Sequence, residues 1–342
     1  MNKNFIPGQA FSAAGMFTLS LRLVTGWTYF SAFWRRLILD NKLDPDAAGY
    51  IGEKFNHFLP NALLIKPGIE YLVTHEQALW WSMLVFTVVE AVVGLLFILG
   101  FFTRLMSIGV TMLALGILLG AGWLGTTCLD EWQIGVLGIA AGFTIFLSGG
   151  GYYSLDNYMQ QRTTDTPAAL HTWLGSGQLK MGATQMRKLS LAGAIIITGL
   201  TLFTNQYFHG GVWGKQHNLS VKPNVQISDA GVKNGELSFT VFRNEGADVY
   251  GSFLVGVSLQ TDSGPEVFGF DSGQLANMHT GQIHNEYVAK VKPGAHSLVI
   301  PLGAKARLKF KGDELQNLPP GTYSLVLTDI SGLMWKESIT IR

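Results

Sequence analysis

The chain has one cysteine, Cys128, in 342 residues. A single thiol cannot build an internal disulfide framework or a multi-thiolate metal site. Charge is scarce as well: 14% of residues are charged, and 24 Lys and Arg stand against 23 Asp and Glu. The net charge of +1 offers no basic excess of the kind that argues for nucleic acid. There is no CxxCH for covalent haem, no flavin- or nucleotide-type GxGxxG ahead of a helix, and no P-loop. The histidines show no metal motif: His279 and His284 flank TGQI, His209 and His217 bracket a glycine-rich link, and all four read as isolated surface residues. If such a chain does redox chemistry, its electron carrier is expected to be diffusible and non-covalent.

What the chain has in quantity is apolar sequence, 48% of all residues, with a mean hydropathy of +0.26. A membrane-crossing helix needs roughly 20 mostly apolar residues. GMFTLSLRLVTGWTYFSAFWRRLIL (15–39) meets that and ends on Arg35 and Arg36. Arg22 interrupts its apolar run and no small-residue cleavage site follows, so it reads as a span and not as a removable signal peptide. Three further spans are expected at 78–100, 104–125 and 132–150, the first two joined by the tight FFTR turn. Gly and Ala recur along the last of them, as suits close helix packing in lipid. Residues 1–158 therefore predict a four-helix transmembrane bundle with an insertion around 40–77, whose FNHFLPNALLIKPGIEYLV stretch reads as short interfacial helices packed on the bundle. A polar linker (159–188) and a fifth span (189–208) follow.

From 217 to 342 the texture changes to short runs rich in β-branched and aromatic residues. GELSFTVFRN, SFLVGVSLQTD, EYVAKV, HSLVIPL, ARLKF, TYSLVLTD and KESITIR each read as a strand, at the spacing of an immunoglobulin-like all-β sandwich. Tyr323, after LPPG, is placed as a corner tyrosine. With five spans, the face carrying Lys3, Arg104, Arg162, Lys180, Arg187 and Lys188 is cytoplasmic by the positive-inside rule. The expected location is the bacterial inner membrane, multi-pass, with the insertion, the 126–131 loop and the sandwich on the periplasmic side.

TTCLDEWQIG (126–135) carries two readings. Thr127 and Asp130 fit an N-capping box, Asp130 and Glu131 suit the positive end of a helix, and Trp132 suits the interfacial belt. The same helix end also attracts anions and lowers the pKa of a thiol. Cys128 then becomes a nucleophilic thiolate, Arg35 and Arg36 the fork for a sulfur oxyanion with Trp132 as a further substrate-binding residue, and Asp130 and Glu131 proton carriers. Glu90, in mid-span, is either half of a structural ion pair with Arg22, Arg104 or the Arg35 group, or a proton relay. Trp27, Tyr29, Phe30, Trp34, Trp80 and Trp81 line either a quinone slot or the aromatic belt.

GLLFILGFFTRL with Glu90 upstream, TCLDEWQIG and the GGGYYSLD exit resemble the DoxD family of DoxX-like membrane proteins, and the tail from about His217 resembles DoxA. The resemblance implies a fused DoxD–DoxA thiosulfate:quinone oxidoreductase: thiosulfate is oxidised to tetrathionate and electrons pass to the membrane quinone pool. Two other classes stay open, a sulfur-oxyanion transporter lined by Arg22, Glu90 and Arg104, and a non-enzymatic anchor or partner subunit of a redox complex. Homo-oligomerisation is likewise open.

Overall fold

The computed structural model describes residues 13–47, 49–125, 130–162, 173–177, 179, 181–248, 251–261 and 264–341. They divide into two compact units. The helical unit begins with α1 (Leu19–Phe33), which passes directly into a π-helical segment, Trp34–Leu39. Among the described residues, four helices are long and apolar enough to cross a membrane: α4 (Glu76–Leu99), α5 (Thr103–Ala121), α6 (Asp130–Ser148) and α8 (Ala183–His209). They correspond to the second to fifth expected spans. The first is helical too, but its α-helix is broken at Thr18 and gives way to π-helical winding from Trp34. The last starts at Ala183 and not at 189, because the Gln185 side chain folds back to accept the Gly182 amide at 3.0 Å and starts the helix early.

Small residues set the packing of this unit, as the recurring glycines predict. A Cβ on Gly94 of α4 would lie 2.5 Å from the Phe30 amide nitrogen of α1, so the two backbones touch there. Gly142 of α6 meets Thr111 and the Ser107 carbonyl of α5 in the same way. Tyr29, Phe97, Val110, Leu118 and Ile145 fill the space between the helices.

The second unit holds two antiparallel sheets. One has the order β1 (Asn224–Lys233), β2 (Glu236–Glu245), β8 (Lys305–Lys311), β5 (Ile283–Asn285). The other runs β10 (Met334–Ile341), β9 (Gly321–Asp329), β3 (Ser252–Thr261), β7 (Leu298–Ile300), β6 (Lys292–Pro293), with β4 (Glu266–Phe270) paired to β3. Their inward residues share one core that includes Phe239, Leu308, Phe310, Leu259 and Leu325. Tyr323 is the corner tyrosine expected of it: its buried hydroxyl donates to the Pro319 carbonyl at 2.9 Å. The EYVAKV stretch differs from expectation. It is a loop, because the Asn285 side chain bonds both the amide and the carbonyl of Val291 and closes the chain on itself.

The helices of the 40–77 insertion group with these strands, and not with the bundle as the sequence suggested. α2 (Ile51–Phe58) and α3 (Lys66–Thr74) bury Leu59, Ile69 and Val73 in a cluster completed by Tyr287 and Phe242 of the sandwich. Polar contacts fix the register. The fully buried Asn56 donates to the Gly303 carbonyl at 2.9 Å and accepts the Ala289 amide at 3.0 Å. The Tyr287 hydroxyl donates to Glu70 at 2.8 Å, and Asn61 donates to the Asn244 carbonyl at 3.0 Å. An unpaired buried backbone group costs about 1–3 kcal/mol. Asn56→Ala strands two such groups, so it is expected to lower the thermal midpoint of this unit by several degrees while that of the helical unit holds, as read by differential scanning calorimetry.

Candidate functional site

A carboxylate inside an apolar bundle is costly unless it is paired. Glu90 of α4 is 3% exposed, and its partner is Arg36 of the π-helical segment: Nη1 meets Glu90 Oε2 at 2.5 Å and donates to Thr87 Oγ1 at 3.0 Å. The Phe86 ring lies 5.8 Å from the guanidinium carbon. Arg36 Nε and Nη2 have no acceptor among the described residues. The change of winding after Phe33 matters here, since π-helical segments recur at functional sites and this one carries the arginine.

Tyr29 completes the cluster. It is 3% exposed, its hydroxyl interacts electrostatically with Glu90, and that hydroxyl has no hydrogen-bond partner among the described residues. It rests against Gly138 of α6, where a Cβ would come within 2.6 Å of it. Three helical segments thus bring together a buried ion pair, spare guanidinium donors and an unused phenol.

The structure separates other residues that the sequence grouped. Arg35 and Arg36 do not act as one fork: neighbouring helical residues point in different directions, so Arg36 turns to Glu90 while Arg35 is exposed. Arg22 and Arg104 do not pair with Glu90. Arg22 lies against Gly100, just past the end of α4 and ten residues beyond Glu90, or about 15 Å at the helical rise. It donates to the Gly150 and Tyr153 carbonyls, and Arg104 donates to those of Phe146 and Gly177. Between them Asp156, opening α7 (Leu155–Arg162), accepts from the Phe102 and Thr103 amides, the Thr103 hydroxyl and Ser176. The FFTR turn and the GGGYYSLD exit are therefore one hydrogen-bonded knot, a role for Asp156 that its place in a glycine-rich motif could have suggested.

Trp132 donates to Thr204 of α8 at 3.0 Å, and Trp27, Trp34 and Trp81 are exposed on helix surfaces, as belt residues are. Asp130 is the exposed first residue of α6, followed by the half-buried Glu131. Thr127 and Cys128 lie outside the described residues. No three His, Cys, Asp or Glu side chains converge as metal ligands among the described residues. His209 is not a surface residue: it is buried, bonded to the Gly122 carbonyl at 2.9 Å.

The second unit has its own ionic cluster, with His57 and Arg243 buried beside a half-exposed ion pair, which the sequence did not reveal. Lys54 pairs with Asp248 at 2.7 Å. Beside them lie His57, with an unpartnered Nδ1, and Arg243, bonded to the Glu245, Ile300 and Ala247 carbonyls. Burial lowers Arg243 to about 10, against the pull of Asp329 and Asp248. Burial, helped by Lys54 and Arg243 and opposed by Asp248, pushes His57 down from 6.5 to about 4.

Residues 17–182 match the family model described as TQO small subunit DoxD, and residues 208–338 match that described as TQO small subunit DoxA. The chain thus carries a DoxD-like segment followed by a DoxA-like segment in one polypeptide, and TQO denotes thiosulfate:quinone oxidoreductase.

His57 gives the sandwich unit an acid sensitivity with a defined sign. Above pH 6.5 the imidazole is neutral whether the unit is folded or not. As pH falls from 6.5 toward 4, the unfolded chain takes up a proton that the folded site refuses, and stability is lost, up to about 3 kcal/mol. The thermal midpoint of the wild-type chain should fall across that window more steeply than that of His57→Leu.

Proposed function

We propose that the chain oxidises thiosulfate to tetrathionate and reduces membrane quinone, and that the quinone head-group is held and protonated at the Arg36–Glu90–Tyr29 cluster. The family matches support the reaction class. The observation that carries the site is the buried Arg36–Glu90 pair with the unpartnered Tyr29 hydroxyl beside it. Quinone reduction takes two electrons and two protons at carbonyl oxygens. Arg36 has donors to spare for such an oxygen, Tyr29 has a hydroxyl to offer, and Glu90 is a proton carrier within the apolar bundle. Head-groups gain most from donors already fixed in a water-poor site.

The sulfur half is assigned to the opposite end of the chemistry. Cys128, as thiolate, combines with one thiosulfate to give a Cys–S–SO3 adduct extended by the sulfane sulfur, and two electrons leave to quinone. A second thiosulfate attacks that sulfane sulfur, forming tetrathionate and returning the thiolate. Arg35 steers the anions, and Asp130 and Glu131 exchange protons with water. By the charge asymmetry of the connecting loops, this end and the sandwich face the periplasm and the chain lies in the inner membrane.

The test is thiosulfate-dependent quinol formation by the purified full chain in lipid nanodiscs. Glu90→Gln is expected to lower kcat by about 100-fold or more, as loss of a proton-transfer group does; because it also leaves Arg36 without its counter-charge, turnover is compared at a temperature where circular dichroism shows both chains folded. A Glu90→Gln chain of near-normal turnover overturns the site. Cys128→Ala should abolish tetrathionate formation; a variant that still turns over normally removes the thiol and leaves direct oxidation of two anions held beside the quinone. Uptake of labelled thiosulfate into vesicles without quinol formation would replace the enzyme by a transporter.

A further inference from the structure

The outer face of the first sheet carries a second arrangement of polar groups. Along β8 the residues alternate: Ala306, Leu308 and Phe310 enter the core, while Arg307, Lys309 and Lys311 are exposed. Pairing sets their neighbours. Arg307 lies between Thr240 of β2 and His284 of β5, and Lys309 lies opposite Ser238 of β2. Arg307, Lys309, His284, Ser238, Glu236 and Lys233 line an open groove of about 560 Å³.

The charges in this groove do not balance. Glu236 is its one carboxylate, and it meets Lys309 at 3.5 Å. Arg307 donates to Ser238 Oγ at 3.3 Å, and neither Arg307 nor Lys233 has an ion-pair partner among the described residues. Like charges side by side on one sheet face are destabilising. Guarding an open edge does not account for Arg307, because it stands between two paired strands. A planar guanidinium, two ammonium groups, a hydroxyl and an imidazole around one concavity are the donors that a small doubly charged oxyanion needs.

We infer that this groove binds a small sulfur dianion of the thiosulfate class, with Arg307 as the fork and Lys309 and Lys233 as counter-charges. The choice of ligand rests on the proposed reaction, and the site rests on the sheet geometry. A concave surface with an excess of one sign raises the local concentration of the opposite ion and loses that effect as salt screens it. The groove therefore acts in substrate capture, and its residues do not take part in electron transfer.

Calorimetric titration of the full chain in detergent with thiosulfate, and separately with sulfate, tests this. Binding at low ionic strength is expected, weakening as sodium chloride is added. Arg307→Gln combined with Lys309→Ala should raise Kd at least about tenfold, as loss of charge-assisted hydrogen bonds does. Lys222→Ala, an exposed cation outside the groove, should leave Kd unchanged. In turnover the double variant should raise KM for thiosulfate and keep kcat. Equal affinity in the double variant, with native circular dichroism, overturns the proposal. So does binding to anionic-lipid vesicles without binding of either free anion. A chain that binds thiosulfate through Arg307 but forms no quinol retains the groove and loses the oxidoreductase reading.

Discussion

Charge in hydrocarbon must be answered by charge, and the helical unit is organised around one such answer. Glu90 sits on a helix that is otherwise apolar, and the guanidinium that meets it comes from a segment wound differently from the rest of its helix. Close backbone contact at Gly94 lets that segment approach, and Gly138 leaves room for Tyr29 to stand beside the pair. Replacing either glycine with a larger residue would push apart the groups whose proximity makes the carboxylate tolerable. Packing and chemistry therefore depend on the same few small residues.

The remaining buried cations follow another rule. Arg22, Arg104 and Arg243 direct their donors mainly to backbone carbonyls. They satisfy chain ends and turns that would otherwise leave acceptors unpaired in a dry interior. This distinguishes them from Arg36, which spends one nitrogen on side chains and keeps others unspent. Burial alone therefore does not set Arg36 apart from them; the nature of its acceptors does.

Long apolar runs were legible in the sequence because length and hydropathy settle them, and the tyrosine corner because a local motif settles it. Glu90 stood out as a charge where none belongs, but its partner did not. Arg22, Arg35, Arg36 and Arg104 are all plausible from sequence, and helix phase alone selects Arg36, 54 residues away. β1 was missed because a register shift between Ser228 and Gly231, with Asp229 at positive φ, breaks its alternation. EYVAKV was misread because a side chain, Asn285, takes the bonds that a neighbouring strand would have taken. His57 and Lys54 lie in a stretch that looks amphipathic and unremarkable, and they gain their chemistry only from residues nearly two hundred positions later.

That last separation has a bearing on how the protein is made. The sandwich unit is discontinuous: α2 and α3 leave the ribosome early, whereas the carbonyl of Gly303 that receives Asn56 comes about 230 residues after α3. At about 5–20 residues per second, that is an interval of about 10–45 s. During it the apolar side chains of Leu59, Ile69 and Val73 have no strands to cover them. A nascent chain with such a gap depends on holding factors, and slowing of translation within the strands would lengthen its exposure to proteases.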